Sequence, residues 1–217
     1  GYLVHARDAI AEIAAGAGHA AFIPFAGVTV SWDDYEARVA QALAPLGLQV
    51  RSLHRDADPA AALAASRLVL VGGGNTFSLL HHCRRRGLLD ALRLQVAQGL
   101  RYVGWSAGTN LACPTIRTTN DMPVIDPGGF DALSLVPFQV NPHYTNATIP
   151  GHRGESRDQR LAEFLALNPQ VPVLALPEGC WLRISGERMQ LAGTQPAWWF
   201  RADGAPVRLP SGPIASI

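Results

Sequence analysis

Gly104-Trp105-Ser106-Ala107-Gly108 places a serine between two glycines, at the end of the strand-like run Arg101 to Trp105. This spacing suits a strand that turns sharply into a helix. The turn is so tight that the flanking positions tolerate little side chain, and the serine hydroxyl is presented at the carboxyl end of the sheet. The amide of Ala107, opening the next helix, then points to where an oxyanion would form. The plainer reading is a glycine-lined turn with a capping serine. The strand before and the helix after favour Ser106 as a nucleophile.

A second glycine cluster, Gly72-Gly73-Gly74-Asn75, ends the strand-like run Arg67 to Val71 and opens another helix. It lacks the Lys-Ser/Thr pair of a phosphate-binding P-loop, and Gly-x-Gly-x-x-Gly is not matched. A tight turn needs one glycine rather than three. Three let the backbone approach a substrate, so the Gly74 amide is a candidate second oxyanion donor beside that of Ala107.

A serine hydroxyl needs a base near neutral pH. Of seven histidines, His143 follows a strand directly, after Asn141-Pro142, which puts it on the same carboxyl edge as Ser106. His5, His19, His54, His81, His82 and His152 fall in helices or loops with no evident chemical neighbour, so surface or capping roles are expected of them. His81 and His82, being adjacent, cannot share a helix face, which argues against a metal there. Two carboxylates could orient the imidazole. Glu178 ends the next strand on the same edge, and Asp121 lies in the polar loop after the nucleophile helix, where it could instead shape the pocket or bind a substrate amine. Arg117, in that same loop, could grip a substrate carboxylate through its guanidinium fork or be a solvated surface residue.

These residues need elements to carry them. Short apolar runs alternate with helical patterns, which argues for a mostly parallel sheet flanked by helices. Helices are expected over about Leu3–Ala15, from Ser31 (with Asp34 as a capping box) to Leu46, from the Asp58-Pro59 cap, from Thr76 to Gly87, and from Ser156 (with Gln159) to Leu167. Strands are expected at 21–25, 67–71, 101–105, about 135–140 and 171–176, and a loop at 114–129. Near the end, 181–185 with 188–191 and 198–201 with 207–209 read as β-hairpins extending the sheet antiparallel.

Composition narrows the function classes. The 217 residues are 48% hydrophobic and 16% charged, with a net charge of +1 from 18 basic and 17 acidic residues. A chain of this length buries roughly 70% of its unfolded surface and needs no staple. The near-neutral balance argues against nucleic acid as a partner. The run Arg84-Arg85-Arg86, just before Gly87, suits a helix carboxyl end. Cys83, Cys113 and Cys180 are odd in number and scattered, so they are expected as buried thiols rather than disulfides or metal ligands. No apolar stretch approaches a membrane span, and no signal peptide is visible, so a cytoplasmic location without membrane association is expected.

Several segments together resemble the peptidase E family, the α-aspartyl dipeptidases among cytoplasmic serine peptidases. They are Phe22 to Val28, Val71 to Phe77, Gly104 to Gly108, Ala112 to Pro123, Gln139 to His143 and Leu176 to Gly179. The resemblance runs over nearly the whole chain. It implies a fold like that of class I glutamine amidotransferases, with serine replacing their cysteine. It also implies Ser106 as nucleophile, His143 as base, and both Glu178 and Asp121 as supporting acids. The Gly74 and Ala107 amides would form the oxyanion hole, and Asn75 and Arg117 would lie in the substrate pocket. The implied reaction is hydrolysis of Asp-X dipeptides with a free amine, without metal or cofactor. The family's opening strand is expected to be missing from this sequence. A single catalytic domain over 1–217 is expected, acting as a monomer or homodimer. The rivals are another serine hydrolase on the same scaffold, such as a cyanophycinase-like peptidase or an esterase, and a non-catalytic small-ligand sensor.

Overall fold

The computed structural model describes residues 2–147, 151 and 154–214. His152 lies outside them. By internal contacts the chain divides into two compact units, Gly1–Val136 and Pro137–Ile217.

The first unit runs α1 (Arg7–Ala14), β1 (His19–Ile23), α2 (Trp32–Leu43), β2 (Gln49–Ser52), α3 (Pro59–Ala64), β3 (Leu68–Val71), α4 (Thr76–Arg85), α5 (Leu88–Ala97), β4 (Arg101–Gly104) and α6 (Ala107–Ala112). Its four strands pair in the order β2-β1-β3-β4, every pair parallel. Successive side chains of a strand face opposite ways, and the central strands use this to bury both faces. Ala21, Ile23, Val69 and Val71 join a core with Leu63, Leu79, Leu88 and Leu111 from α3 to α6. Ala20, Phe22, Leu68 and Leu70 join a second core with Ile10, Tyr35, Val39 and Leu43 from α1 and α2. That is why β3 is apolar at every position.

The expected caps are present. Ser31 accepts from the Asp34 amide and its hydroxyl donates to the Asp34 carboxylate, in place of the reciprocal capping box expected there. Asp58 accepts from the amide of Ala61, and Ser156 and Gln159 form a reciprocal capping box. At the other end of α4, Gly87 takes a φ of 65°. All three cysteines are free and buried, and burial pushes the Cys83 thiol up to about 12.

Other expectations shift. The first helix begins as a 3-10 turn at Val4–Ala6 before α1. β1 lies two residues earlier than its apolar run, because the Pro24 carbonyl closes a turn with the amide of Gly27. β2 was not expected at all. It is an edge strand with polar residues at three of its four positions, so no apolar alternation marks it.

The second unit holds β5 (Gln139–Pro142), α7 (Arg157–Leu167), β6 (Val173–Leu176), β7 (Trp181–Ser185), β8 (Arg188–Ala192), β9 (Ala197–Phe200), β10 (Val207–Leu209) and β11 (Gly212–Ile214). β5 starts four residues later than the pattern suggests. The preceding amides of Leu133, Ser134 and Leu135 are spent on the carbonyls of Leu111, Cys113 and Ala112 at the end of α6, which would otherwise lack partners. β5 and β6 are parallel, and β9 and β10 extend them antiparallel as expected. The β7–β8 hairpin does not. With β11 it forms a separate three-stranded antiparallel sheet.

Candidate active site

β3 and β4 are paired neighbours, with Val71 opposite Gly104, so the segments leaving their carboxyl ends lie side by side. Ser106 sits at the second of these ends with φ 53° and ψ −112°, a conformation that residues other than glycine rarely hold. Its surroundings impose it: the Ser106 carbonyl accepts from the amides of Thr109 and Asn110, and the Trp105 carbonyl from that of Gly108. The Ser106 side chain does not cap α6, which removes the capping-serine reading.

The flanking glycines have steric causes. A Cβ on Gly104 would lie 2.5 Å from the Gly108 carbonyl oxygen, and one on Gly108 would lie 2.2 Å from that of Val71. Gly108→Ala therefore forces α6 away from β3. We expect a loss of about 2 to 3 kcal/mol in denaturant unfolding, of the size seen for overpacked cores, with activity falling as Ser106 moves. Unchanged stability would contradict this packing.

The three glycines of the other loop each answer to a different neighbour. A Cβ on Gly72 would meet the Tyr35 hydroxyl at 2.6 Å, and one on Gly73 would meet Cβ of Ser106 at 2.9 Å. One on Gly74, whose φ is 130°, would meet the Ala26 carbonyl oxygen at 2.3 Å. The Tyr35 hydroxyl also donates to the Gly73 carbonyl at 2.9 Å. Nothing in the sequence singles out Tyr35, which reads as one more inward residue of α2 with Val39 and Leu43.

Asn75 caps α4: its Oδ1 accepts from the Ser78 amide at 3.0 Å while its Nδ2 donates to the Met122 carbonyl at 2.8 Å. Asp121 lies beside the same helix start. One of its oxygens accepts from the Thr76 amide at 2.7 Å, the Thr76 hydroxyl at 2.5 Å and the Thr119 hydroxyl at 3.0 Å. A carboxylate at a helix amino terminus is favoured by the dipole and the unpaired amides there. Asp121 thus fastens the long loop to α4. Arg117 is exposed in that loop, its guanidinium 5.3 Å from the centre of the Phe130 ring, and it makes no ion pair among the described residues.

In the second unit, His143 follows β5 and Glu178 follows β6, on adjacent parallel strands. His143 also has a positive φ, 55°. Its Nδ1 is hydrogen-bonded to Oε1 of Glu178. The two side chains are 48% and 72% exposed. An ion pair so exposed adds little stability, but it selects a tautomer. With the carboxylate accepting from Nδ1–H, neutral His143 offers a lone pair at Nε2.

A Ser-His-Asp set lies within the first unit. His54, expected to lack a chemical neighbour, has Nδ1 2.6 Å from the Ser52 hydroxyl and Nε2 3.0 Å from Asp33. Ser52 is 1% exposed, and Asp33 is shared with Arg55. A hydroxyl without access to substrate does no chemistry, so this set is structural. Among the described residues no group of three or more His, Cys, Asp or Glu could hold a metal ion, and no helix is long and apolar enough to cross a membrane.

Residues 1–192 match peptidase family S51. Over 211 residues the chain is 52% identical to peptidase E of Salmonella heidelberg strain SL476, covering 97% of this chain and 92% of that one. Identity and coverage are the same for peptidase E of Escherichia coli O1:K1 / APEC. A solved peptidase from an acI-B1 Actinobacterium, 17% identical, superposes with a TM-score of 0.72 over 98% of this chain and 91% of that one, and so shares the fold. The chain belongs to peptidase family S51 and is a serine peptidase.

Proposed function

We propose that the protein is a cytoplasmic dipeptidase that hydrolyses Asp-X peptides through an acyl-enzyme on Ser106, with residues 1–217 acting as one catalytic domain. The observation that carries this reading is the hydrogen bond that Glu178 accepts from Nδ1–H of His143, the tautomer in which Nε2 is the basic nitrogen. Ser106, held on a strained turn at a strand end, is the nucleophile it serves.

In this mechanism Oγ of Ser106 bonds to the peptide carbonyl carbon as its proton passes to Nε2 of His143. The carbonyl electron pair becomes an oxyanion, received by the amides of Gly74 and Ala107. Glu178 stabilises the imidazolium. That proton then goes to the leaving amine, the C–N bond breaks and the X residue departs. Water, deprotonated by the same imidazole, attacks the ester and frees aspartate and Ser106. Every step draws on side chains and backbone alone. Asn75, at the mouth of the Gly74 loop, lines the substrate pocket.

Aspartate preference is assigned to Arg117. Its guanidinium lies over Phe130 and is uncommitted to any carboxylate among the described residues, so it can take the substrate side-chain carboxylate in a bidentate pair. Wild-type enzyme should cleave Asp-Leu far faster than Leu-Leu. Arg117→Ala should lower kcat/KM on Asp-Leu by about 10- to 100-fold, the worth of a charge-assisted contact, with Leu-Leu unaffected. Equal wild-type rates on the two peptides would remove the specificity and leave another serine hydrolase on this scaffold.

A further inference from the structure

The hydrogen bond from Tyr35 to Gly73 is the last link of a longer chain. The indole Nε1 of Trp105 donates to the Tyr2 hydroxyl at 2.7 Å, and the hydroxyls of Tyr2 and Tyr35 are 3.1 Å apart. An indole N–H can only donate and a carbonyl can only accept. Each hydroxyl has one proton, so the two ends fix the direction of every link: Trp105 to Tyr2, Tyr2 to Tyr35, Tyr35 to Gly73. Burial holds the Tyr35 phenol well above its ordinary pKa, which keeps this donor protonated.

The accepting carbonyl belongs to the peptide that joins Gly73 to Gly74. No peptide bond in the described chain is cis, and in a trans peptide the C=O and N–H point in opposite directions. Pinning the Gly73 carbonyl toward Tyr35 therefore turns the Gly74 N–H away from it. A bond accepted at the carbonyl also polarises the amide and strengthens its N–H as a donor. Glycine at 72 is what lets the phenol approach, since a Cβ there would lie 2.6 Å from the hydroxyl oxygen.

We propose that Tyr35 is a positioning residue of the oxyanion hole: through the Gly73 carbonyl it sets the orientation and donor strength of the Gly74 amide. This rests on the reading of Gly74 as an oxyanion donor. The competing role is packing alone, because the Tyr35 ring also sits edge-on to Phe22 at 5.1 Å. Tyr35→Phe keeps the ring and removes the bond.

The test compares wild type, Tyr35→Phe and Tyr2→Phe in three measurements. One is the rate at which a fluorophosphonate phosphonylates Ser106, forming the Oγ–P bond and expelling fluoride with the phosphoryl oxygen in the oxyanion site. The others are kcat and KM on Asp-Leu, and Asp-Leu affinity on a Ser106→Ala background. For Tyr35→Phe we expect labelling and kcat to fall about 10- to 100-fold, somewhat less than for outright loss of a donor. KM and ground-state affinity should stay within about twofold, because only transition-state binding is lost. Tyr2→Phe should shift the same quantities the same way by a smaller factor. Labelling and turnover unchanged in Tyr35→Phe would overturn the proposal, as would a parallel loss of ground-state affinity. If Tyr35→Phe does not fold, labelling of Tyr2→Phe at the wild-type rate overturns it. A wild type labelled at Ser106 yet inert toward Asp-Leu removes the Asp-X reading and leaves labelling to decide the role of Tyr35. A wild type not labelled at Ser106 overturns both.

Discussion

Ser106→Ala is expected to lower kcat/KM on Asp-Leu by about 10⁴- to 10⁶-fold, the range for removing a serine nucleophile from a group that acts as a unit. The variant should fold as wild type does, which makes the loss interpretable. Alanine meets the same cost at φ 53° as serine, and the bonds that impose this turn are made by the backbone: the amides of Thr109 and Asn110 onto the Ser106 carbonyl, and that of Gly108 onto the Trp105 carbonyl. No cap is lost, since the Ser106 hydroxyl does not cap α6. The thermal midpoint should therefore match wild type while the rate collapses. Retention of more than about a hundredth of wild-type activity would mean that the acyl group is carried elsewhere. Ser52, the serine beside His54 and Asp33, is too deeply buried to carry it.

What the sequence could foretell divides along the range of the interaction concerned. Caps and turns are local, and Ser31, Asp58, Ser156 with Gln159, and Gly87 could be assigned from neighbours within four residues, though the cap that Asn75 makes was not among those assigned. The strand–glycine–helix junctions at Gly72 and Gly104 were legible for the same reason. Ser106, His143 and Glu178 were singled out as candidates for standing just past strand ends, and each does stand there, after β4, β5 and β6. Sheet order was not legible, because parallel strands pair across crossovers that leave no mark on the strands themselves. Nor was β2, whose single apolar residue Val50 sets up no alternation, or β11, three residues long and started by Gly212-Pro213. The glycine loop shows the limit well. Its length said that more than a turn was needed, yet the reasons come from three distant segments: Tyr35 on α2, Ser106 after β4 and Ala26 after β1. Asp121 is similar. From sequence it was a loop acid competing with Glu178 for the histidine, and only the fold shows Thr76 and Thr119 around it.

That difference between the two acids makes the second large prediction. Glu178→Gln keeps the shape but changes what reaches Nδ1 of His143. A glutamine can present its NH2 group there, which favours the tautomer with the proton on Nε2, and that nitrogen can no longer accept from a serine. The charge that stabilises the imidazolium is lost as well. Single-turnover acylation by Asp-Leu should slow by about 10³- to 10⁴-fold, as when the acid of a Ser-His-Asp triad becomes its amide. The thermal midpoint should barely move, because the pair is exposed. Asp121→Asn should behave in the opposite sense. Asparagine keeps an oxygen for the Thr76 amide but loses the charge at the start of α4, a cost of about 0.3 to 1 kcal/mol. Stability should drop measurably, while acylation slows by about tenfold or less, through the Gly74-Asn75 loop that this contact steadies. The two variants are thus separated by which quantity each one moves. Acylation slowed more by Asp121→Asn than by Glu178→Gln would transfer the supporting role to Asp121 and leave the Glu178 bond to His143 as a surface contact.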